Sequence, residues 1–264
     1  MSAIQYAVTD SATMLRRNLK HLLRYPALTI GTLSMPIIIL LLFVGLLGRT
    51  LGNGIGVGHA GITYVDYVAP GIILMSIAAG VVAPSVSVAT DMTEGVVDRF
   101  RTMAIWRPSL LAGHVLSGLV QSTISTVLVM AVALALGWRP HAALPAWLAA
   151  IGLLELLSFA LIWIAVGIGL NARSVESSSN TPLLIQFLPF LSSTFVPTGS
   201  MPTGVRWFAE YQPFTPLTEA LRGLLSGTGE PIAHNVLVSL CWCLGLTAVG
   251  YWWSLASFEK VRAA

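Results

Sequence analysis

The stretch "AALPAWLAAIGLLELLSFALIWIAVGIGL" occupies Ala142–Leu170 and contains one charged side chain, Glu155. About 20 apolar residues suffice for a helix to cross the hydrocarbon core of a bilayer, and this run exceeds that length. Its apolar residues are continuous rather than alternating. The run is also far longer than the roughly ten residues of a membrane barrel strand, which excludes that reading. The expectation is a membrane-spanning helix.

Five further runs read the same way. Ala27–Gly48, Val68–Thr90 and Ser109–Gly137 precede it, and Thr181–Thr198 and Ile232–Phe258 follow. The fifth in chain order, Thr181–Thr198, is short and interrupted by Pro189. Across all 264 residues the composition is 55% hydrophobic and 9% charged, where soluble domains carry roughly 25% charge. The fold class expected is therefore all-α, a polytopic membrane protein with six transmembrane helices. The net charge of +3 is spread too thinly for a nucleic-acid footprint.

Orientation follows from the basic residues, which favour the cytoplasmic side. With both termini cytoplasmic, ten lie inside: Arg16, Arg17, Lys20, Arg24, Arg99, Arg101, Arg107, Arg173, Lys260 and Arg262. Four lie outside: Arg49, Arg139, Arg206 and Arg222. Interfacial aromatics fit the same arrangement, with Tyr64, Tyr67, Trp138 and Trp147 outside and Trp106, Trp252 and Trp253 inside.

Two segments outside the spans are patterned. In residues 1–26, Ile4, Val8, Ala12, Leu15, Leu19 and Leu22 recur every three or four positions, with Arg16, Arg17, Lys20 and Arg24 largely off that stripe. This pattern predicts an amphipathic helix in the cytoplasmic interface. No apolar core with an A-x-A end occurs there, so no secretory signal is expected. The segment 199–228 is rich in Pro and Gly yet carries Met201, Val205, Trp207, Phe208, Tyr211, Phe214 and Leu217, too much apolar surface for a solvated loop. Breakers at Pro202, Pro213 and Pro216 predict two short helices, near Thr203–Tyr211 and Leu217–Ser226. Together they would form an outer re-entrant or interfacial hairpin, since irregular backbone at membrane depth is tolerated where protein covers it.

Catalytic and metal signatures are missing. The sequence contains no GxxxxGK[ST] phosphate loop, no HExxH and no His/Asp/Glu set at ligand spacing. Cys241 and Cys243 lie two apart in an apolar run, where helical geometry points them to different sides, and they read as packing residues. Glu155, midway through the fourth span, is a functional candidate by its cost. The competing reading makes it a hydrogen-bonded tie between helices, with Gln121 or Gln186 as partner. His114, near the inner end of the third span, reads as interfacial.

The first cytoplasmic loop, "DMTEGVVDRFRTMAIWRPS" (Asp91–Ser109), holds Asp91, Glu94, Asp98, Arg99, Arg101 and Arg107. Between those charges, Val96, Val97, Phe100, Met103 and Ala104 fall at helical spacing. A short amphipathic helix with charged flanks can seat in a groove of a partner protein, and a solvated positive-inside turn fits the same residues.

Two stretches carry a resemblance. "EGVVDRFRTMAIWRPSLLAGHVLSG" (Glu94–Gly118) resembles the first loop and third-span start of ABC-2-type transporter permeases. "FVPTGSMPTGVRWFAEYQPFTPLTEALRGLL" (Phe195–Leu225) is similar to that family's segment before the last span, where an F-x-P…M-P…R-G-L pattern recurs. The likeness runs over nearly the whole chain and is nearest to the daunorubicin-resistance type of drug-export permease. It implies a transmembrane domain over residues 27–264, with the interfacial helix at 1–26 before it. It also implies a pair of permeases, this chain with a second copy or a homologous one, over two ATP-binding cassette subunits. ATP and Mg would be held by those subunits, with no cofactor on this chain and no enzyme activity of its own.

The coupling helix of the family carries over to residues 94–103, with Glu94, Asp98, Arg99, Phe100, Arg101 and Met103 facing the ATPase. Gln121, Glu155 and Phe187 become candidates for the substrate path. Phe195, Pro197, Met201, Pro202, Trp207 and Phe208 become candidates for an outer gate. The implied function is export of a hydrophobic or amphipathic small molecule across the cytoplasmic membrane of a bacterium. A lipid or polysaccharide exporter is the alternative within the family. An ion-coupled carrier acting without an ATPase and a membrane anchor with no transport role are the alternatives outside it.

Overall fold

The computed structural model describes residues 26–46, 48, 63–95, 108–226 and 232–263. The expected N-terminal amphipathic helix, apart from its last residue, lies outside the described residues, and so does the coupling segment beyond Gly95. Among the described residues the chain is all-helical, with no strand. Four helical stretches among the described residues are long and apolar enough to cross a membrane: Tyr64–Thr93, Leu111–Ala135, Leu144–Asn171 and Ile232–Lys260.

In chain order, α1 (Pro26–Leu41) runs into a π turn at Leu42–Leu46. The second stretch consists of two helices, α2 (Tyr64–Ala79) and α3 (Val82–Thr93). Thr63 and Asp66 form a capping box that starts α2, each side chain accepting from the other's backbone N–H. The break between α2 and α3 has a local cause. Pro84 has no N–H to return to the carbonyl of Gly80. Gly80 turns its own N–H back on Ser76 O and Ile77 O, both at 3.1 Å.

Two long helices follow, α4 (Pro108–Ala135) and α5 (Leu144–Asn171), then the short α6 (Val175–Asn180) and α7 (Leu183–Phe187). The hairpin helices are α8 (Thr203–Tyr211) and α9 (Phe214–Ser226), and α10 (Ile232–Ala263) ends the bundle.

The fifth expected span, 181–198, is not one helix. After α7 comes a 3-10 turn at Leu188–Leu191, and the backbone is extended at Ser192. Pro182 and Pro189 each remove a helical donor. Ser192 Oγ then donates to Pro189 O at 2.6 Å, closing the turn locally rather than letting the helix continue.

Without water to drive them together, membrane helices pack through small residues and interhelical hydrogen bonds. The α5–α10 contact follows this rule. Gly167 lies against the Trp253 ring, where an added Cβ would sit 2.6 Å from the nearest ring carbon, and Ser254 Oγ donates to Trp163 O at 2.8 Å. On the other side of α5, Gly169 meets Ser85 O of α3, with room for no side chain at 2.5 Å. The most apolar part of α2–α3 is 72% buried in the chain and that of α10 only 17%, so α2–α3 is the centre of the bundle and α10 its rim.

Three aromatics expected in the interfacial belt are covered by the chain's own helices. Tyr64, Tyr67 and Trp138 are all buried, Trp138 completely, with its ring edge-on to Trp147 at 6.4 Å.

Candidate gating and coupling sites

The extended segment Ser192–Phe195 is gripped by the hairpin helix α9. Thr215, Thr218 and Arg222 recur at i, i+3 and i+7, so they form one polar stripe along that helix. Thr215 Oγ1 accepts from Ser193 N at 3.2 Å, and Thr218 Oγ1 lies 3.5 Å from Thr194 Oγ1. Arg222 Nη2 donates to Ser193 O at 3.1 Å and to Tyr67 O at 3.0 Å, and its Nε reaches Tyr67 O at 3.2 Å. The guanidinium carbon also sits 3.8 Å above the Tyr67 ring. Tyr67 Oη donates to the same Ser193 carbonyl at 3.1 Å.

Arg222 is 8% exposed, so these partners replace the water it lacks. Gln212 Nε2, between the hairpin helices, donates to Leu188 O (3.1 Å) and Leu191 O (2.7 Å), two carbonyls of the 3-10 turn. Thr194 presses on Gly71 of α2, where any Cβ would lie 2.3 Å from the threonine methyl. The result is a latch: α9 on one side and α2 on the other hold irregular backbone that lipid alone would not accommodate.

The expected gate residues surround this latch without forming one cluster. Phe195 is buried, stacks with Phe190 at 5.6 Å and meets the tilted Phe43 ring at 4.4 Å. Trp207 and Phe208 are exposed on α8, with Trp207 5.4 Å from Tyr211. Pro197 and Met201 flank the 3-10 turn Thr198–Ser200 and are half-buried, and Pro202 is exposed.

The three substrate-path candidates do not converge. Glu155 accepts from Thr123 Oγ1 at 2.9 Å, on the exposed flank of α4, so its partner is neither Gln121 nor Gln186. Between the same two helices, Ser122, next to Thr123, and Ser158, one turn from Glu155, bring their hydroxyls together at 2.9 Å. Gln121 is two residues from Thr123, about 200° around the helix, and is buried on another flank with its Nε2 unpartnered. Phe187 is exposed and lies 6.1 Å from Phe190.

At the opposite end of the bundle, α3 leads into the charged loop. Glu94 is exposed and caps α3, and Gly95 follows with φ 65°, which suits glycine. Asp98, Arg99, Phe100, Arg101 and Met103 lie outside the described residues. One turn before the loop, Asp91 Oδ2 accepts from His114 Nε2 at 3.0 Å. The other ring nitrogen, Nδ1, faces Ser87 Oγ at 3.4 Å. His114 is 2% exposed, so its ring is enclosed by the packed helices. Nearby, Ser85 Oγ donates to Ser178 O of α6 (2.9 Å), and Asn171 Nδ2 donates to Ser257 Oγ of α10 (2.7 Å). On α6, hydrogen bonds from its own backbone N–H and from Ser174 hold the Glu176 carboxyl below the usual range.

Sequence reasoning missed the latch and the Asp91–His114 pair. The signal for the latch was present in the Thr215–Thr218–Arg222 spacing. For the pair there was no local signal, because its members come from different helices. Among the described residues no group of three or more His, Cys, Asp or Glu could hold a metal ion.

Long apolar helices packed by small residues, with polar ties at both ends, define a multi-pass membrane protein. The sequence pattern of the ABC-2 type transporter family matches residues 10–225, and the chain belongs to that family. It is therefore an ABC-2 transporter permease, a class that is not itself catalytic. It is 28% identical over 244 residues to a daunorubicin resistance ABC transporter permease protein of Streptomyces coeruleorubidus, covering 92% of this chain and 83% of that one. A probable doxorubicin resistance ABC transporter permease protein of Mycobacterium tuberculosis is 24% identical over 83% of this chain and 77% of its own. ABC transporter G family member 20 of Dictyostelium discoideum is 26% identical over 72% of this chain, but over only 26% of its own length.

Proposed function

We propose that this chain is the membrane half of an ATP-driven exporter that moves a hydrophobic or amphipathic, drug-like small molecule out of a bacterial cell. The observation that carries the reading is the likeness to a drug-resistance permease along 92% of the chain. In this reading six segments cross the cytoplasmic membrane with both termini inside, and the broken stretch 181–198 serves as the fifth crossing with the α8–α9 hairpin set into the outer face. Two permeases pair and engage two ATP-binding cassette subunits, which hold ATP and Mg. This chain supplies no cofactor site.

Residues 94–103 form the coupling helix. Closure of the ATPase pair pushes Glu94, Asp98, Arg99, Phe100, Arg101 and Met103 and re-packs the spans, a switch driven by differential contacts between two states. The hairpin and Phe195, Pro197, Met201, Pro202, Trp207 and Phe208 shape the exit. Substrate passes between the two permeases.

The test is reconstitution of the permease with its ATPase in vesicles. Cargo should accumulate only with ATP, and alanine at residues 98–101 should abolish cargo-stimulated hydrolysis while the protein still inserts. Normal coupling in that variant would sink the docking role. Uptake driven by an ion gradient without any ATPase would sink the exporter reading.

A further inference from the structure

The second apolar stretch, Tyr64–Thr93, is interrupted by a turn at Gly80–Val81, and α3 is its inner half. α3 is divided from α2 by the Gly80–Val81 turn, and beyond it α3 packs on α5, where Gly169 meets Ser85 O, and on α4. α2 is fixed at the outer end, through Gly71 against Thr194 and Tyr67 against Arg222. α3 reaches across to α4 through two side-chain contacts that end on one imidazole, Asp91 Oδ2 on His114 Nε2 and Ser87 Oγ on Nδ1. Ser87 and Asp91 are four apart, so both contacts come from a single face of α3.

With both nitrogens engaged, the ring has one orientation. The contact also sits at a defined place in the chain: Asp91 is three residues before Glu94, where the charged loop departs, and His114 lies in the second turn of the helix to which that loop returns. Stability alone is a weak reason for such a pair. A buried ion-pair-type contact is often no more stabilising than apolar residues of similar size, and its best-attested use is to fix register between elements.

We infer that Asp91 and His114 form a positioning lock that joins the two stems of the charged loop, so that force applied to residues 94–107 turns α3 and the start of α4 as one body about the Gly80–Val81 break. The inference rests on the proposed function, in which that loop meets the ATPase. Without the lock, the loop could be pushed and α3 would slide along α4 instead of carrying it. Neither residue touches cargo or nucleotide.

The experiment uses the intact complex, permease with its co-purifying ATPase subunit, in vesicles. A panel of hydrophobic and amphipathic compounds headed by daunorubicin is screened, and the compound that most stimulates the wild type is the probe. The decisive variant is the double Asp91→Leu/His114→Phe, which fills the space with apolar side chains and removes the directional contact. ATPase co-purification and basal hydrolysis should stay at wild-type values, while probe-stimulated hydrolysis should fall about tenfold, within the ordinary range of coupling free energies. His114→Gln, which keeps a donor toward Asp91, should retain at least half the stimulation.

A double variant that binds the ATPase and keeps full stimulation overturns the lock and leaves the proposed function standing. A wild-type complex that no compound in the panel stimulates overturns the proposed function, and the lock with it. Should the double variant fail to insert, the comparison passes to His114→Gln against His114→Phe. Equal stimulation in those two overturns the lock, and loss in the phenylalanine variant alone supports it.

Discussion

Glu155 and Arg222 differ in a way that reverses their standing in the sequence. Glu155 sits midway along an apolar run and reads as the costly residue, whereas Arg222 reads as one of the outer positive charges, on the second helix of the hairpin. In the structure Glu155 is only half-buried and has one side-chain partner on a neighbouring helix, Thr123. Arg222 is buried, donates to two carbonyls and lies over an aromatic ring. Position along the chain fixes how apolar the neighbours in sequence are. Burial depends on what folds over the residue, and α9 is folded into the bundle. Glu155 ties two helices that are regular without it, but Arg222 holds backbone that has no helix to satisfy it.

The contrast breaks most visibly at Arg222. Replacing it with alanine leaves Tyr67 O and Ser193 O without those donors, and each hydrogen bond to a charged group contributes about 1.5–3 kcal/mol. The expected outcome is a loss of about 3 kcal/mol or more, seen as a large drop in the melting temperature of the detergent-purified permease, or as failure to accumulate. Arg222→Lys should recover only part, because one ammonium cannot reproduce the planar fork. Next in size is Gly71→Ala, whose methyl would overlap Thr194. Overpacking of this kind costs about 1–3 kcal/mol, and the same melting assay reads it.

Glu155 should respond far less. Thr123→Val removes its donor, and interhelical hydrogen bonds in membranes average about 0.6 kcal/mol. Glu155→Gln keeps an acceptor and should leave both melting temperature and export unchanged for every cargo. A cargo-specific loss of export with unchanged stability would place Glu155 on the transport path.

What was legible in the sequence divides along the same physical line. α4, α5 and α10 occupy the third, fourth and sixth apolar runs because continuous apolarity is a local property. α8 starts directly after Pro202 and α9 directly after Pro213, again a local matter of where donors are missing. The stretch 181–198 reads as a short span interrupted by Pro189, but hydropathy does not register that Ser192 offers the backbone a substitute that closes the turn there. Tyr64, Tyr67 and Trp138 read as interfacial from their place at span ends, but the neighbours that cover them come from tertiary packing, which span ends do not encode. The Asp91–His114 contact joins residues on different helices, and no periodicity encodes it. The docking role of residues 94–103 came from resemblance, and their charges alone allowed a plain solvated turn.

The finest test of the comparison lies within the hairpin itself, between Arg222 on α9 and Arg206 on α8. Arg206 Nε donates to Glu210 Oε1 at 2.7 Å, a pair four residues apart on one helix, with side chains 51% and 38% exposed. Arg206 thus has a closer acidic partner than Glu155 has a donor, and a full charge on both sides. Exposure decides the outcome nonetheless: solvent screens the pair and both side chains lose freedom to hold it, so such i, i+4 pairs contribute about 0.3–0.5 kcal/mol. Arg206→Ala should shift the melting temperature barely beyond error, and less at high salt. If instead it matched Arg222→Ala, the charge of the hairpin rather than its burial would be what the latch depends on. The distinction drawn between the two kinds of charged residue would then fail.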